Sequence, residues 1–363
     1  MKYGNYFLEN GDKNMHEDLK ILCYGDELRI ILPINETTIE RAIAIIKERG
    51  LTKLSIVRNS PQAPTYSLKF LNDFTEATKI TSLELYAYFY DFDSIYRFEN
   101  LESLDCFIFN DETLDLSRFQ KLKELNTFSL EPFMDLNNST IEELCVFGEF
   151  GSTVLNTKLD PKKLSQLHRL KCLRLLHKVK DFSFEEVDGL DNLEKIVIKQ
   201  CNTKNLNGIE KFIQVKDITL WYCSSLNDIS AIKKLPNLLN LDLGPCPRLK
   251  GLDAIANNDK LRALCLHGYK NVDIEIIKTL KELRFLYLEN CNPIPSIKFI
   301  DELKNMLGLL ILSTKIIDGD LTPAMRLKDA GITVMRHYNI DEDDLPNNKE
   351  YGYPHWHDLV LNS

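Results

Sequence analysis

One hydrophobic phrase recurs along the chain at a nearly fixed interval. The phrase is aliphatic-x-x-aliphatic-x-aliphatic. It opens at Leu170, Leu193, Val215, Leu238, Leu261, Leu283 and Leu307, with starts 22 to 24 residues apart. A period in this range means a stack of like units, each too small to bury its own apolar side chains. Looser copies open at Leu51, Ile80, Leu101, Leu122 and Ile141, at spacings of 19 to 29 residues. The segment 148–169 reads as an insertion in one unit.

The internal pattern of each unit follows from backbone geometry. In "VKDITLW" the pair Ile218 and Leu220 falls on one face of a short strand, and Asp217, Thr219 and Trp221 fall on the other. Such strands stack in parallel about 4.8 Å apart, so about a dozen of them would make an arc about 50 Å long. The second half of the same unit spaces Leu226, Ile229, Ile232 and Leu235 by three, which suits short 3₁₀-like turns. The inward set is expected to include Ile218, Leu220, Leu241, Leu243, Leu264, Leu266, Leu286 and Leu288.

The phrase and its triplet half resemble the leucine-rich repeat family, L-x-x-L-x-L-x-x-N/C-x-x-L, in the short-repeat form of internalins and phosphatase regulators. The resemblance covers about residues 51–315. It implies an α/β solenoid with a parallel sheet on the concave face and 3₁₀-like turns on the convex face. The turn position departs from the family's asparagine. It is Cys201, Cys223, Cys246 and Cys291 in four copies, Lys178 and Tyr269 in others, and asparagine only at Asn59.

Those cysteines share one column. With nine cysteines, an odd number, and no C-x-x-C pair, reduced and buried thiols are expected, not a metal site. The start "MKYGNYFLENGDKN" has no apolar core of a secretion signal, and the longest apolar runs are too short to span a bilayer. A cytoplasmic protein is the expectation. A net charge of -9 argues against a general binder of nucleic acid or anionic membrane, and suits a basic protein partner.

The ends break the repeat. Residues 1–50 read as a small α/β cap: "ELRIILPI" as a strand, and "NETTIERAIAIIKERG" as a helix with Thr37 and Glu40 as its capping box and Gly50 at its C-cap. Residues 316–363 read as a C-terminal cap and acidic tail. The run Asp341–Asp344 is expected to be solvated. "PHWHD" offers His355, His357 and Asp358 with no fixed third ligand beside them, and Trp356 as an anchor for packing the tail on the body.

The outward columns are the candidate partner face. Early copies place Glu84, Tyr86, Asp105, Phe107, Glu124, Phe128, Glu143 and Phe147 there, an aromatic stripe flanked by carboxylates. Arg174 and Lys199 follow, then Asp217, Trp221, Asp242, His267, Phe285, Tyr287 and Glu289. Aromatic side chains in such positions are typical anchors of protein interfaces. For Phe107 and Phe128 two readings stand. Cys106 and Thr127 occupy inward positions, and a one-residue slip would make both phenylalanines core.

No catalytic constellation, phosphate loop or metal motif accompanies this face. The expected function is non-catalytic capture of a protein, with no cofactor. The chain is also similar in general terms, including "KIIDGDLTPAMRL", to bacterial repeat proteins that act as immunity or accessory factors beside secreted toxins. That resemblance implies occlusion of a toxin by a rigid face. The alternative is a delivered effector of internalin type that binds a host protein.

Overall fold

A strand that alternates aliphatic and polar residues must bury one face, and each unit here does so against the next. In this computed structural model, residues 21–33, 36–58, 64–106, 112–148, 159–177, 179, 182–249, 252–270, 272–353 and 356–361 are described, without the side chains of His357 and Asp358. The chain forms two compact units, Met1–Ile141 and Glu142–Ser363.

In the first unit, Ile21–Tyr24 pairs antiparallel with Glu27–Leu32. The strand Glu27–Leu32 then pairs in parallel with Lys53–Arg58. The crossover is the helix Glu36–Arg49, which buries Thr38, Ile39, Ala42 and Ile46 along one face. The helix begins before Thr37, so Thr37 and Glu40 lie inside it and do not form its capping box. Gly50 closes it with φ at +65° and its N–H on the Ile46 carbonyl at 2.9 Å. Parallel strands Ser82–Tyr86, Ser103–Cys106 and Glu124–Thr127 follow. Cys106 and Thr127 are buried as the inward column requires, and the Thr127 hydroxyl donates to the Ser129 carbonyl at 3.1 Å.

In the second unit, parallel strands run Glu143–Phe147, Cys172–Leu176, Lys195–Lys199, Asp217–Trp221, Asn240–Leu243, Ala263–His267, Phe285–Glu289, Gly308–Leu312 and Asp329–Ile332. The inward column Ile196, Ile218, Leu241, Leu264, Leu286 and Leu309 is fully buried. Each such side chain contributes about 1.5–3 kcal/mol over an exposed one. Returns are short 3₁₀ turns such as Ser230–Lys234 and Lys298–Glu302. The last copy opens at Met306, not Leu307: Phe285 pairs with Gly308, which turns Leu309 and Ile311 inward.

After six of these strands the chain turns sharply. His177, Gln200, Tyr222, Asn290 and Ser313 hold positive φ between 50° and 58°, and Gly268 takes the same place at 70°. That turn drops the cysteine column inside. Cys201, Cys223, Cys246 and Cys291 are buried and unpaired in disulfides. Each Sγ–H donates to a carbonyl of the preceding coil: Leu175, Ile198, Leu220 and Leu266, at 3.4 to 3.8 Å.

The C-terminal segment closes the second unit twice. The Ala330 N–H donates to the Pro346 carbonyl at 2.7 Å, and Asp329 bridges Asn347 antiparallel, so this stretch covers the edge of the last strand. Helix Trp356–Leu361 then lies across the outer face of the sheet, where Trp356 and Val360 join a buried cluster with Ala263, Cys265, Phe285 and Tyr287. Among the described residues no helix is long and apolar enough to cross a membrane.

Candidate protein-binding face

In the first unit the middle outward column runs Arg29, Ser55, Glu84, Asp105 and Asn126 in register. The Tyr86 hydroxyl donates to Asp105 Oδ2 at 2.9 Å, and Asn126 Nδ2 donates to Asp105 Oδ1 at 2.5 Å and to Glu124 Oε1 at 3.2 Å. Arg29 is engaged by Glu27 at 2.8 Å. Among the described residues no Lys or Arg comes within ion-pair distance of Glu84 or Asp105. Burial, with the charges of Asp105 and Glu27, pushes the Glu84 carboxyl up to about 7. Burial likewise raises Asp105 despite its hydrogen bonds from Asn126 and Tyr86. Among the described residues neither carboxylate has an ion-pair partner, and Arg29 and Lys53 act on Glu84 only at a distance. Phe128 is half-buried, and Phe107 lies outside the described residues.

In the second unit the predicted face is largely neutralised from within. Glu143 and Arg174 pair at 2.8 Å. Asp217 is not an exposed contact. It is 1% exposed, paired with Lys195 at 2.7 Å, and accepts from Asn240 Nδ2 at 2.6 Å. Phe147 is buried and stacked near His177, with ring centres 6.4 Å apart.

Trp221 is half-buried and lies flat over the next coil. Its Nε1 donates to Asp242 Oδ1 at 2.8 Å, and Lys199 Nζ sits 5.2 Å from the ring. A Cβ on Gly244 would come within 2.7 Å of the indole, so only glycine leaves room for it there. The ring reaches His267, 4.7 Å away between centres, and His267 meets Tyr287 at 4.7 Å on the other side.

His267 is 5% exposed and held between two carboxylates. Nδ1 lies 2.8 Å from Glu289 Oε2, and Nε2 lies 3.2 Å from Asp242 Oδ1 as an ion-pair contact without hydrogen-bond alignment. Burial alone would lower its pKa, but Asp242 and Glu289 outweigh burial and raise it, favouring the imidazolium. At Glu289 burial would raise the pKa, but hydrogen bonds from His267 and Tyr287 and the charge of His267 lower it. The Tyr287 hydroxyl donates to Glu289 Oε2 at 2.9 Å.

Phe285 and Tyr287, read from the alternation as exposed anchors, are 1% and 6% exposed. They do point outward, but the C-terminal helix covers them. Trp356 stacks on Phe285 with ring centres 5.0 Å apart and planes at 24°. A Cβ on Gly308 would meet Phe285 at 2.8 Å and Trp356 Cζ2 at 3.1 Å. Glycine at 308 and alanine at 263 make the hollow, where neighbouring coils carry Asn240, Asp217 and Lys195. That change to small residues, and the four-residue spacing of Trp356 and Val360, were the available signals. His355 and the side chains of His357 and Asp358 lie outside the described residues.

No protein-family model matches the chain. A curated protein of Trypanosoma equiperdum named "Putative adenylate cyclase regulatory protein" is 26% identical over 149 residues, which are 39% of this chain and 23% of that protein. The chain therefore spans under a quarter of the curated relative it matches. Among solved structures, a leucine-rich repeat protein of Leptospira interrogans aligns at a TM-score of 0.51 and 19% identity, over 84% of this chain and 77% of its own. TLR13, solved in complex with ssRNA13, aligns at a TM-score of 0.56 and 17% identity, over 86% of this chain and 51% of its own. The resemblance read from the repeat and the similarity of these structures agree: this chain has the leucine-rich repeat fold.

Proposed function

We propose that this chain is a non-catalytic binding solenoid that captures a protein through the outer face of its sheet, with basic side chains of the partner seated on Glu84 and Asp105. The observation that carries the reading is the shortfall of positive charge there: two neighbouring, half-buried carboxylates, both with raised pKa and no ion-pair partner among the described residues. A lysine or arginine from a partner would relieve the repulsion and favour the charged form of both. Tyr86 already holds Asp105 through its hydroxyl.

Capture of a toxin by occlusion, as an immunity or accessory factor, is the finer form of this reading. The test is selection of ligands from displayed protein and RNA libraries with the full chain. Lys- and Arg-rich protein ligands are expected, weakened at least tenfold by Glu84→Gln with Asp105→Asn and by added salt. Selection of RNA, or protein ligands indifferent to both substitutions, overturns it.

A further inference from the structure

We infer that capture at Glu84 and Asp105 is an exchange of cations: the empty site carries a proton between the two carboxylates, and a lysine or arginine of the partner enters as that proton leaves. The face then holds its partner weakly in mildly acid surroundings and tightly in neutral to mildly alkaline ones. The inference rests on the reading of this face as a site for basic side chains, and adds its regulation.

Glu84 and Asp105 occupy paired positions of adjacent parallel strands, so their backbones lie about 4.8 Å apart and their side chains leave the same face. Carboxylates so placed disfavour each other's ionisation unless a cation sits with them. Arg29 and Lys53, whose charges reach Glu84, are engaged elsewhere. Arg29 is held by Glu27 at 2.8 Å and lies over the Tyr24 ring, 5.1 Å from its centre. Lys53 is held by Asp26 at 2.9 Å. Glu27 adds negative charge at Glu84, and Glu124 adds it at Asp105.

The donors around the two carboxylates are unequal, and this decides where the proton sits. Asp105 accepts from the Tyr86 hydroxyl at 2.9 Å and from Asn126 Nδ2 at 2.5 Å, bonds that favour its ionised form. Glu84 has the Ser55 hydroxyl beside it. Ser55 is fully buried at the paired position of the preceding strand, and its hydroxyl has no aligned hydrogen-bond partner. An unsatisfied buried hydroxyl is costly, and this one gains a stronger acceptor when Glu84 ionises. The shared proton therefore rests on Glu84, in keeping with a carboxyl pushed up to about 7. The exchange conserves charge. Glu84 gives its proton to solvent, the partner's side chain brings one positive charge in, and the charge enclosed by the site does not change.

Only the ionised fraction of Glu84 can receive the cation. That fraction is about one part in eleven at pH 6 and about ten in eleven at pH 8, so apparent affinity rises about tenfold between them. An ordinary glutamate is ionised throughout that interval and gives no slope. The experiment titrates the full chain with an octalysine peptide by calorimetry at pH 6 and pH 8 and one ionic strength. Buffers of different ionisation heat read out the protons released. Expected are capture about tenfold tighter at pH 8 and about one proton released per peptide at pH 6. Glu84→Gln should bind at both pH values as the wild type does at pH 6, with no release. It keeps every histidine of the wild type, so the difference between the two chains belongs to Glu84.

A second measurement needs neither peptide nor variant chain. The carboxyl carbon of Glu84, followed by NMR in the unliganded wild type, should titrate with a midpoint near 7. Equal affinity at the two pH values, capture without proton release, a slope that survives Glu84→Gln, or a midpoint near 4.5 each overturns the inference. Capture that Glu84→Gln with Asp105→Asn weakens, but that shows no slope, removes only this inference. A peptide that fails to bind at pH 8, or binds indifferently to both substitutions, removes the reading on which it rests.

Discussion

The outer face formed by strands Glu27–Leu32 to Glu124–Thr127 and that formed by strands Asn240–Leu243 to Gly308–Leu312 arise from the same alternation. Their inward columns are alike, aliphatic apart from Cys106 and Thr127. Their outward columns differ in kind. The first carries Glu84 and Asp105, raised carboxylates with no ion-pair partner among the described residues. The second carries Ala263, Cys265, Phe285 and Gly308 beneath a helix of the same chain. The inward column is constrained by the neighbouring coils, whereas the outward column is constrained by whatever lies on it. Specialisation is therefore written on the outward column, at little cost to the stack.

The sharpest way to break this contrast is on the inward side. Leu243→Ala should cost about 2–5 kcal/mol in chemical denaturation, because the coils on either side hold the cavity open. A loss no greater than that of a surface substitution would show that the two columns are not distinct. Next in size is Gly244→Ala. The added Cβ displaces the Trp221 indole and its bond to Asp242, at roughly 1–3 kcal/mol, and tryptophan fluorescence should shift to the red. Unchanged emission would mean the indole does not lie on Gly244.

The acidic face offers a gain. Glu84 has a folded pKa raised from 4.5 to about 7, so the folded state holds a proton that the unfolded state has released across that range. Wild-type stability should therefore fall as pH rises from about 4.5 through about 7. Glu84→Gln should flatten that slope and gain roughly 1–2 kcal/mol at pH 8, discounted for partial solvent screening. A variant that is less stable than wild type at pH 8 would show that the ionised carboxylate is held favourably.

His267 behaves with the opposite sign of partner. Its folded pKa is raised above 6.5, so its contribution is complete below 6.5 and fades as pH rises through the folded value. Glu289 is lowered below 4.5, so its share is present above 4.5 and fades as pH falls through the folded value. The cluster stabilises most between about 4.5 and 6.5. His267→Gln should cost roughly 1 kcal/mol more at pH 5.5 than at pH 9, by thermal melting. Equal losses at both pH values would place its role in packing alone.

The repeat, the inward column and the buried cysteines were legible because each rests on a period that polar residues keep in phase. The period misleads where polar residues are missing. In "LGLLIL", Leu307, Leu309, Leu310, Ile311 and Leu312 are all aliphatic, so nothing in the run itself separates the two faces. Met306, one residue upstream, sets the phase. Thr37 misled in the same way: the capping pattern is local, and the helix starts earlier. Exposure of the outward column was not legible at all. Alternation says which side Phe285 and Tyr287 take, and does not say what covers that side. Trp356 was identified as an anchor, but its seat was visible only as a change to small residues at Ala263 and Gly308.

The tail's seat has a consequence for how such a chain can lengthen. Strands pair residue for residue from Lys195 to Leu312, so a duplication of one whole unit would enter the stack without disturbing its columns. A unit added before Asn240 would leave Ala263, Phe285 and Gly308 adjacent. A unit added between Ala263 and Gly308 would split them and leave Trp356 and Val360 spanning the wrong coils. The C-terminal helix acts as a ruler: it freezes the number of repeats beneath it, while the stretch upstream remains free to grow.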